Sequence, residues 1–93
     1  AQLHANDMAS RNYFSHTSPD GGTPSERALA TGYSFCFIAE NIAKGQPNQK
    51  KALKSWMDSK GHRENILSKS ATQFGLASAP GNIWVLLLGR PGC

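Results

Sequence analysis

The chain has 93 residues, with ten Lys+Arg against six Asp+Glu for a net charge of +4. That length holds one compact domain and excludes a multidomain enzyme; so short a chain buries only about 60–65% of the surface its unfolded form exposes, so a covalent or metal restraint would help hold it. A composition of 39% hydrophobic and 17% charged residues excludes a disordered chain, and the longest apolar run, residues 83–88, falls far short of the roughly 20 needed to span a bilayer.

Residues 1–13 place Ala1, Ala5, Met8, Ala9 and Asn12 on one face at helical spacing, with Asn6, Asp7, Ser10 and Arg11 elsewhere, which predicts a helix that opens without an N-cap. His4, at the edge of that stripe, reads as a packed or half-exposed histidine. Residues 15–22 are turn chemistry around Pro19-Asp20-Gly21-Gly22. A short helix then has Thr23 as cap, Pro24 at its first position, Glu26 completing a Thr-x-x-Glu box and Gly32 as its stop. Residues 35–43 read as an extended segment interrupted by Glu40 and Asn41.

Residues 48–59 form an amphipathic helix with Ala52, Leu53, Trp56 and Met57 on one face and Lys50, Lys51, Lys54 and Asp58 on the other. Ser59 marks its boundary, and Gly61 is expected to break it before a helical turn over 62–67. Residues 73–79 and 83–88 form a hairpin about Pro80-Gly81, which suits the central positions of a type II turn. The last strand is apolar on both sides, with Ile83, Val85 and Leu87 facing one way and Trp84, Leu86 and Leu88 the other. A strand apolar on both faces needs cover above and below, so the expected fold is α+β: a three-layer α-β-α sandwich around a small, mainly antiparallel sheet.

Cys36 and Cys93 have no CxxC or Cys/His ligand spacing. An even count in a short basic chain points to one disulfide and an oxidising compartment, with two separate buried thiols as the alternative. A Cys36–Cys93 bridge would contribute about 4 kcal/mol in the chain-entropy model. The chain begins at Ala1 with no charged-then-apolar leader, so any signal peptide is expected to have been removed.

His16 and His62 fall at the ends of elements, where side chains can converge on a cleft. With one carboxylate they could hold a divalent metal or make a proton-transfer site; a structural hydrogen-bond network is the alternative. Glu40 is the better partner than Glu64, because residues two apart on a helical turn do not face each other and an acid in an apolar strand must be paired. A Ser/His nucleophile is poorly supported: no Gly-x-Ser-x-Gly elbow exists, and although Ser59 and His62 could meet if the helix continued, Gly61 lies between them and no orienting acid is assigned.

The segments AQLHANDMA (1–9), FSH (14–16), DGGTPSER (20–27) ahead of TGY (31–33), AENIAKG (39–45) and KSWMDSKGHRENIL (54–67), with FGLASA and NIWVLLLG closing the chain, together resemble the CAP superfamily. This family comprises the cysteine-rich secretory, antigen 5 and pathogenesis-related proteins, or SCP domains, and the likeness is to its bacterial-type branch. The resemblance implies an α-β-α sandwich with a central cavity lined by two histidines and two acids, which in several members holds a divalent metal such as zinc. By motif position His16, Glu40 and His62 match three of the four, and Ser59 stands where the second acid would be. Less negative charge implies weak or absent metal binding. The family's usual further helix before AQLHA is not present in residues 1–93, which read as a single domain with a shortened front.

The resemblance leads to the expectation of a secreted protein, extracellular or periplasmic: a non-enzymatic binding module whose cleft, lined by His16, Glu40, Ser59 and His62 and supported by Asn41, Tyr33 and Trp56, takes a small ligand, lipid or peptide. For Trp56, core packing is the ordinary use. One alternative is a metal-assisted, protease-like hydrolase with Glu40 as general base. Another is adhesion to an anionic cell-envelope or lipid surface through Lys50, Lys51 and Lys54, since residues 44–63 carry six cationic side chains against Asp58 alone. No recognition motif or aromatic platform accompanies the lysines, so nucleic-acid binding is not expected.

Overall fold

In a computed structural model the described residues are 1–92. Helix α1 (Gln2–Arg11) buries His4, Ala5 and Met8 and stops at Asn12, whose left-handed backbone (φ 56°) closes the helix on the Met8 carbonyl. Helix α2 (Pro24–Ala30) is capped as its sequence predicts. The Thr23 hydroxyl oxygen accepts from the Glu26 amide at 3.2 Å and donates to the Glu26 carboxylate at 3.0 Å.

Strand β1 (Phe35–Lys44), helix α3 (Gln49–Met57) and helix α4 (Lys60–Ile66) follow, then strands β2 (Gln73–Ala79) and β3 (Ile83–Pro91). The expected break at Gly61 falls earlier. Asp58 ends α3 and Ser59, with extended backbone, opens α4, so Gly61 lies inside the first turn of the new helix. The hairpin loop has Gly81 at φ 92°, as a type II turn requires at that position, and Asn82 is left-handed as well.

The sheet is antiparallel throughout, in the order β1-β3-β2. Central position accounts for the doubly apolar β3. On one face Ile83 and Val85 pack with Ala5 and Met8 of α1 and Ile42 of β1. On the other, Leu86 and Leu88 pack with Ala52 and Trp56 of α3, flanked by Ile66 of α4. The three-layer sandwich therefore has α1 and α2 above the sheet and α3 and α4 below it. Trp56 is 2% exposed and donates its indole N–H to the Ile42 carbonyl at 3.1 Å, so it is a core anchor of the lower layer. Cys36 lies in the first half of β1; its expected partner, Cys93, lies outside the described residues.

Candidate functional site

The pleat of β1 sends consecutive polar side chains into different layers. Glu40 stands opposite Leu87 and faces α1 and α2, whereas Asn41 stands opposite Leu86 and faces α3 and α4. The Glu40 side chain is only 3% exposed, and each of its oxygens has a cationic or imidazole partner. His16 Nδ1 lies 3.0 Å from Oε1 and Arg27 Nη2 donates to Oε2 at 2.8 Å. An ionised carboxylate only accepts, so Nδ1 carries the hydrogen and leaves His16 Nε2 as the basic nitrogen of a half-exposed ring.

Arg27 also fixes where His16 sits. Its Nη1 donates to the His16 carbonyl at 2.9 Å and the Gly22 carbonyl at 3.0 Å, tying the 15–22 loop to α2 and β1 together. Inside that loop Ser18 Oγ donates to Asp20 and accepts from the Gly22 amide. His4 completes the cluster from α1: Nε2–H donates to the Ser15 carbonyl at 2.9 Å and lies 3.7 Å from Glu40 Oε1. Burial lowers the His4 pKa below its ordinary value, with Glu40 opposing the shift. On the far side of His4, Tyr13 donates its hydroxyl to Asp7 at 2.5 Å, and desolvation together with Asp7 pushes the phenol up to about 12.

The remaining expected residues fall into two further groups. Ser59 Oγ and His62 Nδ1 meet at 2.9 Å because Ser59 opens α4 and His62 sits in its first turn, not because one helix runs through both. Asn41, fully buried, donates to the His62 carbonyl at 3.0 Å and accepts from Asn65 at 2.9 Å, pinning α4 beneath β1. Tyr33 lies elsewhere: its hydroxyl donates to Gln73 at 2.8 Å. Its ring covers Gly89 so closely that a Cβ there would meet the phenol oxygen at 2.8 Å.

Two open clefts adjoin on the upper face. The larger, about 900 Å³, runs between α1 and α2, with Leu3, His4, Arg27 and Ala30 around Glu40 and Leu87. The smaller, about 580 Å³, is bounded by Thr31, Tyr33, Phe74 and Leu87. Glu40 thus lines the first and Tyr33 the second. Arg27 and His4 are the participants that motif reading passes over. Arg27 stands in the quoted DGGTPSER, and the apolar stripe of α1 puts His4 beside buried Ala5 and Met8, but neither signal says that both side chains point at Glu40.

The donor set does not suit a tightly held divalent metal. Both Glu40 oxygens are engaged, one by a guanidinium that would repel a second cation, and Ser59 brings no charge. Among the described residues no three His, Cys, Asp or Glu side chains converge as ligands.

Comparison with known proteins follows the same lines. Residues 1–87 match the model of the Cysteine-rich secretory protein family, CAP. The chain is 41% identical over 85 residues to the uncharacterized protein YkwD of Bacillus subtilis, covering 90% of this chain and 33% of that protein. It is 34% identical over 73 residues to the uncharacterized membrane protein YlbC of the same organism, covering 78% and 21%. The 1.5 Å crystal structure of an extracellular protein containing an SCP domain from Bacillus anthracis superposes with a TM-score of 0.92 at 34% identity, over 97% of this chain and 30% of that one. The chain therefore spans about a third or less of the relatives it matches. The family match, the identities and the sandwich agree: this chain belongs to the CAP, or SCP-domain, family.

Proposed function

We propose that the chain is a secreted, non-enzymatic binding module that holds a small ligand, lipid or peptide in the cleft between α1 and α2. The observation that carries this reading is the state of Glu40. A general base needs a free, poised carboxylate, but this one is buried and held by His16 and Arg27, so it acts as an internal tether beneath a cleft floored by Leu87 and walled by Leu3 and Ala30. Mapping amide shifts with a medium-chain fatty acid, a lysophospholipid and a short apolar peptide tests it. A saturable response is expected at Ala28, Thr31 and Leu87 for at least one probe and is abolished by Ala30→Trp, which fills the cleft from an exposed wall position. No saturable response, or one gathered at Ser59 and His62, contradicts the reading.

The hydrolase alternative draws on one observation, the half-exposed ring of a carboxylate-oriented His16. Turnover of a peptide or ester library that His16→Ala abolishes would favour it over binding alone. For zinc, the proposal is weak or no binding. Isothermal titration showing submicromolar affinity that survives the His16→Ala, His62→Ala double change contradicts the assignment of these histidines.

A further inference from the structure

The sheet divides the charge as well as the layers. Residues 1–40 carry Asp7, Asp20, Glu26 and Glu40 against Arg11 and Arg27, a net −2. Residues 48–69, which hold α3 and α4, carry Lys50, Lys51, Lys54, Lys60, Arg63 and Lys69 against Asp58 and Glu64, a net +4, while Lys44 stands opposite Ile83 on the upper face and Arg90 closes β3. The chain's surplus positive charge is therefore unevenly placed, with the α1–α2 cleft on the acidic side and α3 on the basic side.

Helix α3 presents this charge in an ordered way. Ala52 and Trp56 point inward, so Lys50, Lys51 and Lys54 lie outward and are exposed. Leu53 flanks the lysine stripe and is 46% exposed. A polyanion in solution is recognised by the cations alone. An anionic bilayer also rewards an apolar side chain at headgroup depth, which makes Leu53 the feature that selects between them.

We propose that the lower face docks on an anionic lipid bilayer, with Lys50, Lys51 and Lys54 at the headgroups and Leu53 in the interface, so that the α1–α2 cleft faces solvent. The attachment is independent of what the cleft binds. It also assigns a role to Asp58, whose carboxylate lies 2.9 Å from Lys54 Nζ on the exposed surface and offsets part of the lysine charge.

Flotation of the folded protein with vesicles of phosphatidylcholine alone, and of phosphatidylcholine mixed with phosphatidylglycerol, tests this. Binding is expected only to the mixture and weakens as salt rises. The triple change Lys50→Gln, Lys51→Gln, Lys54→Gln weakens it about a hundredfold, Leu53→Ser weakens it severalfold, and Asp58→Asn tightens it; all five positions are exposed, and circular dichroism checks the fold of each variant. Nitroxide-labelled lipid should broaden the α3 amides and spare those of Ala5 and Ala28. Equal binding to neutral vesicles, broadening centred on α1 or α2, or an affinity that Leu53→Ser leaves unchanged while soluble polyglutamate competes fully overturns the proposal, the last result in favour of an anionic polymer.

Discussion

Arg27 has one structural job with two consequences. It neutralises the buried Glu40 and it holds the loop that presents His16. Removing it leaves a carboxylate in an apolar layer with only imidazole partners, so Arg27→Met should cost roughly 2–5 kcal/mol, read from urea unfolding, and should release the His16 ring as seen by its NMR line. Glu40→Gln should cost less, because Arg27 is partly exposed and can be hydrated. His4 gives the cluster a pH dependence of defined sign. Its pKa is lowered from 6.5 by burial, with Glu40 pulling the other way. The unfolded chain therefore takes up that proton first as pH falls: the contribution is intact above 6.5 and declines as pH drops from there towards the folded value. Asp7, held below its ordinary 3.8 chiefly by Arg11, keeps its contribution until pH falls below 3.8. Urea midpoints followed from about pH 7 to about pH 5 should fall in the wild type and fall less in His4→Gln; equal slopes contradict the role given to His4. Glu40, His16 and His62 were legible as residue types in quoted motifs. The Glu40–His16 contact follows from the expectation that an acid in an apolar strand needs a partner, whereas Arg27 and His4 required the docking of two helices on a strand, which spacing along the chain does not encode.

At the scale of elements, the strongest inference from sequence rests on β3. Six consecutive apolar residues at period two require cover on both sides, and the two clusters of core residues divide along that alternation. The Thr23 cap of α2 is also read correctly, since Thr23 and Glu26 interact within one turn and need nothing from the rest of the fold, although the Glu26 carboxylate returns to the Thr23 hydroxyl and not to its backbone N–H. The α3–α4 boundary is read less well. Glycine is a poor helix residue in general, but Gly61 sits in the first turn of α4, and the change of direction belongs to Asp58 and Ser59. Asn41 shows what a local reading cannot reach: its side chain joins β1 to α4 through His62 and Asn65, across more than twenty positions of sequence. Asn41→Ala removes both contacts and leaves the Asn65 amide without its acceptor. It should destabilise the fold by roughly 1–3 kcal/mol and increase hydrogen exchange in α4 ahead of α1, measured amide by amide; uniform acceleration across both helices contradicts the pinning role.

For the whole molecule, the two polar residues Glu40 and Asn41 of an edge strand fasten opposite helical layers, Glu40 to α1, α2 and the His16 loop, Asn41 to α4. The upper layer keeps an open cleft beside the Glu40 tether, and the lower layer keeps the lysines. Length and charge are explained together: a chain with little apolar core uses buried polar ties to register its layers, and its surplus positive charge collects below the sheet. The proposed binding role rests on the α1–α2 cleft. The most direct test is a native mass spectrum of the protein from its natural host, alongside the Ala30→Trp variant. A bound organic molecule is expected on the wild type and absent from Ala30→Trp, while both proteins retain the same fold by circular dichroism. A wild-type mass equal to the bare chain, or an adduct that persists unchanged in Ala30→Trp, would contradict that role.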